Sequence, residues 1–395
     1  MRLAHLADLH LGYRQFYRQT PQGINQREAD VTLAFRAAVD DVITARPDLV
    51  LFAGDLFHGV RPTNPAILES FTQLRRLRDA LPDVKMIVIA GNHDTPRSVE
   101  TGAILRLFEA VPEVEVVVHE IRQIDLPALD TTVTCVPHAA LLRQPRERFT
   151  PPAGLRHTVL LIHGEVAGVI PGDRSWVEYG GAMVEPGELE AERWSYVALG
   201  HYHVARPVAP NAWYAGSLEY VSPNPWGEMQ DEAALGRRGQ KGWLLVELGR
   251  QALVEFRPVT LARRYIDLPA IHGAGLAPAE IDAEILARVS AVSDGIDGQV
   301  VRQVVHDVPR VVARDLTYAR IREFKARALH YNLDVRRPRP AREAGVGAPG
   351  RRRTLAETVV DYLGRRLLDA AVDRERLIGL ARGYLEQADA KESER

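Results

Sequence analysis

Apolar residues over the first hundred positions fall into short runs rich in β-branched residues, and each run stops at a polar cluster. Arg2-Leu3-Ala4-His5-Leu6-Ala7 stops at Asp8-Leu9-His10, Asp48-Leu49-Val50-Leu51-Phe52-Ala53 at Gly54-Asp55-Leu56-Phe57-His58, and Met86-Ile87-Val88-Ile89-Ala90 at Gly91-Asn92-His93-Asp94. Between them Val31, Phe35, Ala38, Val39, Val42 and Ile43 recur with helical period, and Pro65 suits the first turn of a helix over 66–81. Such runs read as buried strands. Their alternation with helices predicts a parallel sheet with right-handed crossovers over 2–94. Open sheets of this kind hold their ligands beyond the C-terminal ends of the strands.

Further along, the pattern predicts a helix over 98–110 and antiparallel strands over 114–118, 121–126 and 131–136. Thr158-Val159-Leu160-Leu161-Ile162 stops at His163-Gly164, and Tyr196-Val197-Ala198-Leu199 at Gly200-His201-Tyr202-His203. A loop rich in Pro, Gly and charge is expected up to Lys241, and strands over 242–248 and 252–259 close a first domain, 1–261. Residues 262–336 read strand, helix, strand, helix, strand, a small two-layer α+β unit. Residues 337–353 are a flexible basic linker. The segment 354–388 carries two amphipathic helices, marked by Leu355, Val359, Tyr362, Leu363 and Leu367, then Leu377, Leu380, Tyr384 and Leu385. Their apolar face has no core of its own, so it either binds a partner or docks back on the chain.

Composition narrows the class. The 395 residues are 46% hydrophobic and 26% charged, with net charge −2, ordinary for a soluble globular protein of one large and one smaller domain. The near-neutral total hides an Arg-dense stretch over 310–353, which either contacts nucleic-acid phosphates or forms a solvated face and linker. The loop over 11–27 interleaves Tyr13, Phe16 and Tyr17 with Arg14 and Arg18; these either stack on bases or pack the loop against the domain. A single cysteine, Cys135, excludes an internal disulfide framework and fits a reducing cytosol. No apolar run reaches membrane-spanning length and no leader pattern precedes the first strand, so a cytoplasmic, nucleoid-associated protein is expected.

The chemistry sits at the strand ends. Asp8, His10, Asp55, Asn92, His93, His163, His201 and His203 bring imidazole, carboxylate and amide oxygen to five strand ends. That donor set suits divalent manganese, iron or zinc, and the lack of thiolates argues against a structural zinc site. The number of donors exceeds one ion's needs. Two ions about 3.5–4 Å apart, the spacing used for phosphoryl hydrolysis, use them better. Asp55 is the expected bridge, with Asp8, His10 and His203 completing one site and Asn92, His163 and His201 the other. His93, beside a ligand, is the expected general acid for the departing alkoxide. Asp94 would orient His93 or cap a helix. His5, His119, His138, His157, His272, His306 and His330 lack partner spacing and read as structural or surface residues.

Asp-x-His, Gly-Asp, Gly-Asn-His-Asp, a later His and Gly-His-x-His, in that order over residues 8–203, resemble the calcineurin-like metallophosphoesterase superfamily. Gly54-Asp55-Leu56-Phe57-His58 before Arg61-Pro62, and Tyr214-Ala215-Gly216-Ser217-Leu218-Glu219, are similar to the SbcD-type nuclease subunit, the prokaryotic relative of the eukaryotic double-strand-break repair nuclease. The resemblance implies an α/β protein built as a four-layer α/β/β/α sandwich, with 262–336 as a DNA-capping domain and 354–388 as the segment that binds an SbcC-type coiled-coil ATPase. It implies two Mn2+ per subunit and 3′-to-5′ exonuclease and endonuclease activity in DNA double-strand-break processing. It also implies a homodimer, for which the covering helices near 30–45 and 66–110 are the expected surface. His58 falls where some members carry a second histidine that assists phosphate rotation. Two other readings remain: a dinuclear phosphoesterase for small phosphate esters, and a DNA-end tethering scaffold with incidental hydrolysis.

Overall fold

The computed structural model describes residues 1–96, 102–169, 180–338, 355–366 and 373–393. These fall into two units, Met1–Arg336 and Arg337–Arg395. No helix among the described residues is long and apolar enough to cross a membrane.

The first unit opens β1 (Arg2–Leu6), α1 (Gln26–Ala45), β2 (Leu49–Phe52), α2 (Asn64–Ala80), β3 (Lys85–Ile89) and β4 (Val114–Val117), with these strands parallel and adjacent. Asn25 caps α1 by accepting from the Arg27 N–H, and Thr63 caps α2 by accepting from Ala66, with Pro65 in the first turn. Next come β5 (Arg122–Leu126), β6 (Thr131–Val136), α3 (His138–Leu141), β7 (His157–His163), β8 (Glu165–Val166) and β9 (Met183–Val184). They are followed by α4 (Pro186–Leu189), β10 (Tyr196–Gly200), β11 (Arg206–Ala209), β12 (Ala212–Tyr214) and α5 (Pro225–Ala234). β13 (Lys241–Leu248) and β14 (Ala252–Val259) then return to the first sheet. The sheet orders are β14-β13-β1-β2-β3-β4 and β11-β12-β10-β7-β6-β5.

Strand alternation sorts the side chains into layers. Ala4, Leu6, Val50, Phe52, Met86 and Val88 pack with Val31, Phe35, Val39 and Val42 of α1. Leu3, Leu49, Leu51, Ile87 and Ile89 pack with Val133, Cys135, Val159, Leu161 and Ala198 of the second sheet. The outer face of that sheet, through Leu160, Ile162, Val197 and Leu199, packs with Leu141, Leu189 and Trp194. The result is the expected four-layer sandwich.

Three local expectations are corrected. Residues 114–136 are not one antiparallel set: β4 joins the first sheet parallel to β3, and only β5 pairs antiparallel, with β6. Short apolar runs carry no mark of which sheet will take them. The helix expected over 98–110 is a 3-10 helix, Ile104–Ala110, and 98–101 lie outside the described residues. The loop expected before Lys241 contains α5, which starts on Pro225 and buries Trp226, Glu228, Met229, Asp231 and Glu232.

The chain then forms β15 (Tyr265–His272), α6 (Pro278–Ser290), β16 (Val300–His306), α7 (Arg310–Arg314), α8 (Tyr318–Arg327) and β17 (His330–Val335). The three strands are parallel, and Ile281, Ile285, Val301, Val305, Ile321 and Phe324 fill their core. The second helix expected in this unit is α8, with α7 as a separate turn before it. The N-terminal loop grips this segment. Phe16 stacks on His330 with ring centroids 4.0 Å apart, and Arg18 donates to the carbonyls of Lys325, Ala326 and Ala328. Buried Arg27 pairs with Asp30 at 2.8 Å and Glu219 at 3.2 Å, and Arg263 reaches the same Asp30 at 2.8 Å. Tyr13 donates to the Ser222 carbonyl. So Tyr13 and Phe16 serve packing, while Tyr17 is fully exposed.

The second unit is a pair of helices, α9 (Leu355–Arg365) and α10 (Arg374–Ser393). Arg374 donates to the carbonyls of Leu363, Gly364 and Arg366, and Tyr362, Leu380 and Tyr384 are exposed. Of the expected linker only 337–338 fall within the described residues, and Leu367 lies outside them.

Candidate metal centre

Because β1, β2 and β3 are adjacent and parallel, as are β7 and β10, their C-terminal ends meet along one edge of the sandwich. Each chain turns sharply there. Asp8, His10, Asp55 and His201 all have positive φ, at 52°, 47°, 52° and 107°. Non-glycine residues rarely adopt that conformation, and such strain gathers where side-chain direction matters. Two glycines leave the room: a Cβ on Gly91 would lie 2.1 Å from Asp55 Oδ1, and one on Gly200 would lie 1.8 Å from the Ala53 carbonyl.

The side chains converge in three groups: His10, His58 and His93 form one, and the other two carry the carboxylates. Asp8, His10 and His203 bring one donor atom each within 4.8 Å of one another, and so do Asp55, His163 and His201. His10 Nε2 and His203 Nε2 are 3.1 Å apart. Asn92 Oδ1 stands 2.9 Å from His163 Nε2 and 3.2 Å from His201 Nδ1, which adds the amide to the second group. Asp55 lies between the groups. Its Oδ1 accepts from the His93 N–H at 2.8 Å. Its Oδ2 is buried without a hydrogen-bond partner, 3.4 Å from His163 Nε2 and 3.8 Å from His10 Nε2.

The electrostatics call for added positive charge. Burial, offset in part by His163 and His203, pushes the Asp8 carboxyl up to about 6. Burial also works against ionisation of Asp55, but His163, His10 and His93 outweigh it and hold that carboxyl well below the usual range. Two buried carboxylates this close ionise together only beside cationic charge. Divalent cations would supply it, and the orphaned Oδ2 is an acceptor left without a proton donor. The oxygen and nitrogen donors fit first-row divalent ions.

Around the centre, His58 and His93 are half-buried and Asn92 is half-buried, so this is the side open to solvent. His58 Nδ1 stands 3.2 Å from His10 Nδ1, and its ring stacks on His93 with centroids 5.1 Å apart. Asp94 is buried beside this pair of turns. Its carboxylate accepts the backbone N–H groups of Leu56, Phe57 and Gly91, tying the turn after β2 to the turn after β3. His93 Nδ1 stands 2.8 Å from the His58 carbonyl. Of the other histidines, His5 is buried between the sheets, 3.0 Å from the Tyr196 hydroxyl. His138 lies near the centre, its ring 6.4 Å from that of His163.

Sequence reasoning missed Glu228 and Lys241, which lie behind His203. The available signal was the 228, 231, 232 spacing of acids after Pro225, which lines one helical face.

Residues 1–205 match the calcineurin-like phosphoesterase family. The chain is 27% identical over 261 residues to the DNA double-strand break repair protein Mre11 of Saccharolobus solfataricus, covering 63% of this chain and 61% of that protein. It is 26% identical over 251 residues to the protein of that name from Sulfolobus acidocaldarius, covering 63% and 60%. With its namesake from Methanococcus maripaludis it shares 34% over 111 residues, 28% of each. The matches thus span from about a quarter to about three-fifths of these relatives' length.

Proposed function

Since the chain belongs to the calcineurin-like phosphoesterase family, we propose that it is a manganese-dependent DNA nuclease that processes double-strand breaks, degrading ends 3′-to-5′ and cutting internally. The observation that carries the chemistry is the pair of donor groups on either side of Asp55. Asp8, His10 and His203 would hold one ion and Asn92, His163 and His201 the other. Bound there, the ions would lower the pKa of a shared water and offset charge on the phosphoryl oxygens.

The chain's own residues do the rest. His93 donates from Nδ1 to the His58 carbonyl, so in the imidazolium form the second proton, on Nε2, is the one available to the departing alkoxide. His58 and His93 line the open side, where a phosphodiester would enter. Asp94 keeps their turns together through three backbone hydrogen bonds.

DNA is favoured as substrate by the names of the relatives and by the α+β segment, which we assign as a DNA-capping domain over 262–336. Its helices α7 and α8 expose Arg310, Arg314, Arg320, Arg322 and Lys325, suited to phosphate contacts. We assign the helix pair after the linker to an SbcC-type coiled-coil ATPase, because its exposed Tyr362, Leu380 and Tyr384 need a partner. Exposed Leu33 on α1 and Leu68 on α2 would seat a second copy in a homodimer.

The test is manganese-dependent degradation of an end-labelled duplex by wild type and His93→Asn, alongside p-nitrophenyl phosphate esters. Shortening from 3′ ends by wild type alone is expected. Cleavage of the small esters without cleavage of DNA would replace the nuclease with a general phosphoesterase.

A further inference from the structure

The face of α5 that carries Glu228, Asp231 and Glu232 is buried against the turn that holds His201 and His203. Tyr202 donates to Asp231, and Tyr220 to Glu232 at 2.6 Å. Glu228 accepts from Ser222 and from Lys241, and Lys241 is itself buried at the start of β13. Lys241 also donates to the His203 carbonyl at 2.9 Å and lies 3.1 Å from Glu232. On the far side of the His203 ring from His10, Glu228 Oε1 stands 3.7 Å from Nδ1.

Acidic side chains at i, i+3 and i+4 normally mark a solvated helix face, and burying three of them is costly without partners. Here two carboxylates, Glu228 and Glu232, share one ammonium, that of Lys241.

We propose that Glu228, held by Lys241, is the positioning residue for His203: it keeps the proton on Nδ1 and turns Nε2 into the Asp8–His10–His203 group. The inference rests on the metal-binding reading above. A carboxylate behind a ligand histidine fixes its ring and tautomer and raises its basicity, and loss of such a partner costs about 10–100-fold in metal affinity. The effect is confined to one ion, because the Asn92–His163–His201 group makes no use of His203. Asp55, shared by both groups, is untouched.

Calorimetric titration of the full chain with Mn2+ separates the two binding events, and zinc titrated into protein carrying 15N-labelled histidine reports the His203 tautomer. In Glu228→Gln the weaker acceptor should lower one Mn2+ affinity about tenfold or more, leave the other unchanged, and broaden or shift the His203 ring signals. Since a lone Lys241 could upset folding, the double variant Glu228→Gln/Lys241→Gln, which removes both charges, is measured with it and should show the same selective loss. Two Mn2+ bound with wild-type affinities in the folded variants would overturn the positioning role. Equal weakening of both events would also overturn it, pointing to general loosening of the fold. Failure of the wild type to bind Mn2+ would sink the metal-centre reading itself.

Discussion

Asp55 is the residue on which the two donor groups meet, and its position was legible from the Gly-Asp that ends an apolar run. On the proposed reading Asp55→Asn removes the charge both ions share. Manganese-dependent DNA cleavage should fall by at least about a thousandfold, more than for loss of a ligand to one ion, while thermal unfolding of the metal-free protein changes little. An equal activity in Asp55→Asn and wild type would contradict the bridging role. His5 offers a test at the same scale without the centre. Burial, with a smaller opposing contribution from a hydrogen bond to the Leu199 backbone, pushes it down to about 3. Between pH 6.5 and 3 the unfolded chain binds a proton that the folded chain refuses, so stability is full above pH 6.5 and falls as pH drops. The slope should approach about 1.4 kcal/mol per pH unit once the unfolded histidine is protonated. Denaturant unfolding of His5→Phe at pH 7 and pH 5 should show a smaller loss than wild type. An unchanged pH dependence would count against it. Residue types at strand ends could be read from sequence because chemistry chose them. The Asp94 role could not, since its partners are backbone N–H groups that no side-chain pattern reveals.

At the scale of elements, runs such as 49–52 and 85–89 were legible because β-branched residues bounded by Gly and polar clusters allow little else. The helix over 225–234 was hidden for a physical reason. Its buried face mixes Trp226 and Met229 with Glu228, Asp231 and Glu232, so the usual apolar stripe is interrupted by charge. The assignment of 114–117 to the first sheet needed the tertiary fold, because four-residue runs of the same composition fit either sheet. The caps can be tested directly. Thr63→Ala removes the acceptor for the Ala66 N–H at the start of α2, as well as a hydrogen bond to Glu28, and should cost about 1–2 kcal/mol in chemical denaturation. Thr63→Ser should recover most of it. Equal destabilisation by both would mean that the methyl group, not the hydroxyl, matters.

For the whole molecule, the α+β segment is fastened to the sandwich by buried charge as much as by apolar contact. Arg27, Asp30, Glu219 and Arg263 form one cluster beneath Tyr220 and Tyr265. None of this was legible in sequence, since 27, 30, 219 and 263 share no spacing. If that segment caps DNA, its contacts are with phosphates, and the logarithm of affinity should fall linearly with the logarithm of salt concentration. Replacing Arg320 and Arg322 by Ala together should lower the slope by about two, with no change in preference among DNA sequences. An unaltered slope would place DNA elsewhere. The helix pair carries the partner prediction: if it is the proposed docking segment, removal of 337–395 should abolish pull-down of an SbcC-type coiled-coil ATPase while cleavage of small phosphodiesters persists. The central claim is reached most directly by anomalous diffraction from crystals soaked in Mn2+. Two peaks flanking the Asp55 carboxylate, one beside Asp8, His10 and His203 and one beside Asn92, His163 and His201, are predicted; a single peak, or none at this edge, would contradict the account.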